Sequence, residues 1–186
     1  YLDNGTLRCS VIGGMAAKGI CGSGIVDAVS VMLEQGLLNR QGRIQSTEEI
    51  QGQRFFPLTD GIYLTQEDIR QVQLAKGAIY AGIALLAKQL GVEIEEIQKV
   101  RLAGAFGSFL NPENACRIGL LPEALLQKIE AVGNAALSGA KMLARDPALL
   151  PFTQELIKKT ESLELASLSL FPKTFAKAML FQEEDA

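Results

Sequence analysis

Two stretches of the chain space their apolar residues three and four apart. In residues 22–36, Ile25, Val26, Val29, Met32 and Leu33 share one face, while Ser23, Asp27, Ser30 and Glu34 share the other. This predicts an amphipathic helix, with Gly36 as its stop. The second stretch follows Thr65, which has Asp68 three residues on, a spacing that predicts a capping arrangement and a helix running to about Leu90, ended by Gly91. Its apolar stripe holds Ile69, Val72, Ile79, Ile83, Leu86 and Leu90, and Lys76 occupies a place in it where another apolar residue is expected. A cation there either snorkels out with its stem buried or emerges beside a bound nucleotide, where Gln73 and Asp68 could add hydrogen bonds.

The remaining pattern is mixed. Residues 6–12 alternate loosely and predict a strand ending at the Gly13-Gly14 turn. The polar stretch 39–61 holds signals for short strands around 54–58 and, just beyond it, 62–64. Residues 99–103 read as a buried strand that runs directly into Gly104-Ala105-Phe106-Gly107-Ser108, and Asn111 with Pro112 and Glu113 reads as a helix start. A strand at 129–132 then feeds a helix at 134–144, whose Ala136, Gly139 and Ala140, with Gly133 before it, would let another backbone approach closely. Two final helices, near 148–159 and 172–181, flank an expected short strand at 163–166. Strands alternating with helices give an α/β class. In such sheets a ligand usually lies where strand C-termini meet helix N-termini.

Composition narrows the classes. With 186 residues, 48% of them hydrophobic, the chain can bury one sizeable core as a single domain. Its 18 basic and 21 acidic residues are scattered, so a net charge of -3 gives no footprint for nucleic acid or an anionic membrane. The longest nearly apolar segment, 78–87, is about half of the roughly 20 residues that a bilayer crossing needs. Cys9, Cys21 and Cys116 are odd in number and widely spaced, which argues against a disulfide framework or a self-contained zinc or iron–sulfur site and fits reduced, cytoplasmic thiols. The absence of histidine excludes Ser-His, Cys-His and zinc hydrolase mechanisms within this chain. The opening at Tyr1, with no initiator Met, suggests a piece of something longer.

Two glycine-rich segments carry the candidate chemistry. Gly22, Ser23 and Gly24 stand at the start of the first helix, where unpaired amides and the positive end of the helix dipole suit a phosphate or ribose. The same glycines would also serve a tight turn with close helix–sheet packing, and a lone Gly-x-Gly does not decide between the two. Gly104, Ala105, Gly107 and Ser108 would make a flat platform for an aromatic heterocycle or a phosphate, with Phe106 and Phe109 as apolar walls; a tight strand-to-helix connection without a ligand is the alternative. No nucleophile stands with a general base, and neither catalytic carboxylates nor magnesium ligands are evident. The chemistry that fits is binding and positioning of a nucleotide.

Taken in order, "GICGSGIVDAV", "LTQEDIRQVQLAKGAIYAGI", "LAGAFGSFLNPENACRIGLLP", "VGNAALSGAKML" and "LELASLSLFPKTFAKAMLF" resemble the C-terminal part of the reductive activators of corrinoid proteins. These belong to the acetate and sugar kinase, Hsp70 and actin superfamily (ASKHA). The resemblance covers nearly the whole chain. It implies an actin-like, ribonuclease H-like ATPase lobe with a central mixed sheet flanked by helices. Residues 1–186 would then be the second portion of that ATPase domain, with the upstream lobe and a plant-type 2Fe–2S domain elsewhere in a longer, cytoplasmic protein.

The same resemblance implies ATP with Mg2+ as the nucleotide that drives electron transfer to a cobalt(II) corrinoid protein. It makes Gly104, Ala105, Phe106, Gly107 and Ser108 the adenosine motif, places Gly22, Ser23, Gly24 and Asp27 near ribose and phosphates, and places Gln73 and Lys76 on the helix that flanks adenosine. Residues 133–140 resemble the helix on which the two lobes hinge. Ala105 departs from the family's usual second glycine, and the upstream phosphate-binding segments are absent, so the chain would carry at most half of an ATP site. A small-molecule kinase of the same superfamily and a nonenzymatic module that docks a partner through its acidic surface are the competing readings, and a homodimer is left open.

Overall fold

The structure, a computed structural model, describes residues 2–3, 6–46 and 49–181; Thr47 and Glu48 in the polar stretch lie outside the described residues. The first predicted helix is α1 (Gly22–Glu34), followed by Gly36 at φ 65°. The second is α2 (Gln66–Gln89), and its capping box is present: the Asp68 amide donates to Thr65 Oγ1 at 3.2 Å and the Thr65 amide to Asp68 Oδ2 at 2.8 Å. Gly91, at φ 65°, follows its end. Local signals therefore set both helices.

The strands form three small sheets among the described residues. A short antiparallel pair joins β1 (Leu2–Asp3) to β2 (Thr6–Leu7). β3 (Glu49–Ile50), β4 (Gln53–Thr59) and β5 (Ile62–Thr65) make an antiparallel meander in which Phe56 pairs with Leu64. β6 (Val100–Ala103) lies parallel to β7 (Ile129–Gly133), pairing Val100 with Ile129. The α/β class stands, while in place of one central mixed sheet the described residues put their parallel and antiparallel pairings in separate small sheets.

After β6 come α3 (Gly104–Phe109) and α4 (Pro112–Arg117), the latter capped by Asn111, whose side chain accepts from the Asn114 amide at 3.1 Å. The chain ends in α5 (Ala135–Arg145), α6 (Leu150–Lys159) and α7 (Phe171–Met179).

Three expectations are corrected. The strand expected over 6–12 stops at Leu7, where its ladder with β1 ends at the Leu2–Leu7 pair, and residues 8–11 run on as irregular chain into a 3₁₀ segment, Ile12–Gly14, with Gly13 and Gly14 at φ 79° and 65°. The strand expected at 163–166 is instead a 3₁₀ turn, Leu165–Ser167, closed by Ser167 Oγ donating to Glu164 O at 2.7 Å. The strand before the glycine motif is half-buried: Arg101 faces outward and pairs with Glu130 across the parallel ladder at 2.6 Å.

The core gathers Val29 and Met32 of α1, Ile44, Leu64, Ile69, Ile118 and Phe181. Ile44 and Ile69 are fully buried there, so the loop after α1 and the start of α2 close over one apolar centre. Against expectation, the α2 positions Ile79, Leu86 and Leu90 are exposed, while Lys76, Gly77, Ala81 and Leu85 are buried. The reason is α7, which lies along that other face: a Cβ on Gly77 would stand 3.0 Å from Met179 Cγ and 3.3 Å from its backbone nitrogen. The small-residue surface of α5 is open, with nothing within 4 Å of where a Gly139 Cβ would be. No helix among the described residues is long and apolar enough to cross a membrane.

Candidate functional site

α1 and α3 each begin at a glycine. Cys21 caps α1, its sulfur accepting from the Gly24 amide at 3.4 Å. That bond and the Ser23 hydroxyl, 3.4 Å away, hold the Cys21 thiol below its ordinary pKa, the hydroxyl contributing most. Sequence reasoning passed over Cys21 as a bland thiol. Its place directly before a predicted helix start was the signal that could have marked it.

At the second entrance the two glycines have different reasons to be there. Gly104 has φ 86° and open space where a Cβ would project, so backbone conformation alone demands glycine. Gly107 is buried against β6: its Cβ would lie 2.9 Å from Leu102 Cβ and 3.0 Å from the Leu102 carbonyl carbon. Gly107 is therefore a packing glycine, as the reading without a ligand expected of this connection. The flat platform is also corrected, since residues from Gly104 onward already coil as α3 and Ser108 Oγ returns to Gly104 O at 2.8 Å. Ala105 lies exposed on that helix.

Phe106 joins the two entrances. A Cβ on Gly22 would meet its ring carbons Cδ2 and Cε2 at 3.1 and 3.2 Å, so the ring rests on the first residue of α1. Phe106 still exposes 47% of its surface and Phe109 exposes 77%, which leaves one aromatic face partly open and the other wholly outward. The structure thus brings Gly22 against Phe106, whereas the space where a Gly24 Cβ would project is bounded by Ile20 and Cys21.

Asp27, one turn into α1, is held by α4: Asn114 Nδ2 donates to its Oδ1 at 2.7 Å. Asn114 Oδ1 in turn accepts from Ser30 Oγ at 2.9 Å and from the Arg117 guanidinium at 3.3 Å, and Arg117 donates to Ser30 Oγ at 3.1 Å. Ser30, expected on the polar outer stripe, is fully buried by this network. The pattern reading missed it because the residues that cover Ser30 come from α4, far along the chain. Asp27 and Gly24 also line a cleft of about 650 Å³ with Cys9, Lys18, Cys21 and Ile62.

Gln73 and Lys76 are not brought to the glycine entrances. Lys76 is 1% exposed, and its Nζ donates to Ala178 O at 2.6 Å and Leu180 O at 2.7 Å, 4.9 Å from the Phe181 ring centroid. Gln73 Nε2 donates to Met179 O at 3.1 Å and Gln41 O at 3.2 Å. Both side chains satisfy the last carbonyls of α7, a favourable place for a cation at a helix C-terminus. The buried position of Lys76 was legible as an interruption of the apolar stripe, but its donors are spent on the chain itself.

Among the described residues, no group of three His, Cys, Asp or Glu could hold a metal ion. The thiols are dispersed: Cys9 Sγ donates to Leu58 O at 3.2 Å, while Cys116 is buried, its pKa pushed up to about 11 by desolvation and then by Glu123. Three separated sulfurs do not fit a 2Fe–2S cluster, which takes four ligands.

Comparison with known proteins agrees across the chain. Residues 2–186 match the family described as the C-terminal domain of RACo, the ASKHA domain. The corrinoid activation enzyme RamQ of Eubacterium limosum is 32% identical over 96% of this chain, and a Co(II) methylated amine-specific corrinoid protein reductase of Methanosarcina barkeri is 30% identical over 78% of it. The structure of a reductive activator for corrinoid, iron-sulfur protein superposes with a TM-score of 0.81 over 91% of the chain, at 31% identity. The chain spans 34% and 26% of the lengths of those two relatives and 29% of that structure's chain.

Proposed function

The chain belongs to the family of RACo C-terminal ASKHA domains, and from that premise we propose that it supplies one wall of the ATP site in an ATP-dependent reductive activator of a corrinoid protein. The observation that carries the reading is the Phe106 ring resting on Gly22, which makes the two glycine entrances neighbours on one surface. The amides of Gly22 and Ser23 in the first turn of α1 suit a phosphate or ribose hydroxyl, while that of Gly24 is taken by the Cys21 cap. Asp27, held in place by Asn114, suits a ribose hydroxyl or a water of the hydrated magnesium ion. Gly104 to Ser108 offer the base a partly open aromatic face and a backbone without a Cβ at Gly104.

Residues 1–186 are, on this reading, the second portion of an actin-like ATPase domain. The opposite wall of the site and the 2Fe–2S cluster belong to the remainder of a longer polypeptide, in keeping with the share of each relative's length that the chain spans. A cluster held there would be the one-electron donor, and a Co(II) corrinoid the acceptor reduced to Co(I). This chain's own residues bind and orient ATP. Binding and hydrolysis of ATP would supply the free energy for that uphill transfer by favouring a different arrangement of the lobes.

The test uses the intact protein with a Co(II) corrinoid protein, a low-potential reductant and MgATP, following Co(I) formation by its absorbance and ADP release in parallel. The reading expects both, and expects Gly22→Val to lose both. ADP release that depends on a small acceptor and needs no corrinoid protein would replace it with the kinase reading. Absence of any nucleotide-dependent signal would leave a docking module.

A further inference from the structure

A second concave surface lies between the early turns of α2, the loop at 41–43 and the β3–β4 hairpin. It is a polar cleft of about 600 Å³, lined among others by Arg43, Arg54, Arg70, Glu49, Glu67 and Gln73. That volume falls in the range of small-molecule sites. None of the residues at the two glycine entrances lines it.

Its walls are tied down before any ligand arrives. Gln66 accepts the Ile44 amide at 3.0 Å through Oε1 and donates through Nε2 to Gly42 O at 2.5 Å. Gly42 sits at φ 80°, and a Cβ there would collide with the Gln73 carboxamide at 2.5 Å, so glycine is required for the loop to lie against α2. Arg54 is fixed by donating one N–H to Ile44 O at 3.0 Å.

The charges are less satisfied than the walls. Among the described residues, the side chains of Arg43 and Arg70 make no hydrogen bond or ion pair, and both are exposed to the cleft's solvent. Glu67, the cleft's carboxylate on α2, already accepts from Gln71 Nε2 at 2.9 Å. Among the described residues that line the cleft, Glu49 is the other acidic group, so three guanidiniums stand with two carboxylates. Guanidiniums present paired N–H groups that match the two oxygens of a carboxylate or phosphate.

We propose that this cleft is a second ligand site, separate from the nucleotide wall, that takes a small polyanion bearing phosphate or carboxylate groups, with Arg43 and Arg70 as its recognition residues and Arg54 as its fixed base. The occupant would also steady α7, because Gln73 at the cleft edge bridges Gln41 O and Met179 O.

The test is calorimetric titration of the intact protein with inorganic pyrophosphate and, separately, with citrate, at low ionic strength without magnesium. Gly22→Val serves as a background in which the proposed nucleotide wall is disabled. The expected result is a Kd below about 1 mM for one of the two anions, retained in Gly22→Val, raised at least tenfold in Arg43→Gln/Arg70→Gln, and weakened by added salt. The anion that binds identifies the phosphate or the carboxylate source. Both substitutions are at exposed side chains, and an unchanged melting temperature verifies that the variant folds. Failure of both anions to bind, or binding that the double variant leaves unchanged, overturns the site without touching the nucleotide reading.

Discussion

The Phe106 ring rests on Gly22 so closely that a Cβ there would lie 3.1 Å from the nearest ring carbon, a contact the ring would have to yield to. Because Phe106 is about half exposed, it can swing away when pushed, so the fold should tolerate a larger residue that the site does not. Gly22→Val is expected to keep its circular dichroism and lose at least tenfold in affinity for MgADP, about 1.4 kcal/mol. Calorimetry on the intact protein checks this, and Gly22→Ala should fall between the two.

Gly104 and Gly107 should respond in opposite ways to the same substitutions. Asparagine tolerates positive φ better than alanine does, so Gly104→Asn should be milder than Gly104→Ala, whose cost is about 1 kcal/mol or more. At Gly107 the obstacle is the β6 backbone, which cannot move aside, so Gly107→Ala should cost about 1–3 kcal/mol and Gly107→Asn more. Urea denaturation of the four variants measures the order. Equal losses at both positions would show that the two glycines share one role.

Lys76 holds the end of α7. Replacing it in Lys76→Met removes the donor that Ala178 O and Leu180 O share, an expected loss of about 1–3 kcal/mol. Amide exchange in Phe171–Met179 should quicken far more than in α1. Burial lowers the Lys76 pKa from 10.5 to about 8. Between those values the unfolded chain binds a proton that the folded chain does not, so this residue's contribution to stability rises with pH across that window and is level below it. The rise, taken as wild type minus Lys76→Met, should be seen in denaturation midpoints measured from pH 7 to 10.5.

The thiols should alkylate in a set order. Cys21 is exposed and its thiolate is favoured by Ser23 and the Gly24 amide, whereas Cys116 is buried and raised to about 11. Iodoacetamide near neutral pH, read by peptide mass spectrometry, should label Cys21 well before Cys116. MgADP should slow Cys21, which caps the helix whose first turn is assigned to the phosphates.

How much of this was legible follows from how local each signal is. Thr65 with Asp68, Asn111 with Pro112, and Gly36 and Gly91 act within one turn of chain, and each helix boundary they predicted was found. Ser30 and Lys76 are different. Their surroundings come from α4 and α7, so spacing along one helix placed Ser30 outside and left the partners of Lys76 open. The short apolar run near Leu165 read as a strand because such runs carry no period, and a 3₁₀ turn closed by Ser167 took its place. Glycine motifs were the hardest to read, since the letters alone do not separate the packing demand at Gly107 from the conformational one at Gly104.

Hydrogen–deuterium exchange of the intact protein with and without MgADP tests the central claim most directly, because it reads both glycine entrances in one experiment. The account predicts that nucleotide protects peptides spanning 21–28 and 103–110 together, at the same nucleotide concentration, while 171–181 is unaffected. Protection at only one entrance, or confined to the α2–α7 contact around Gln73 and Lys76, would contradict it.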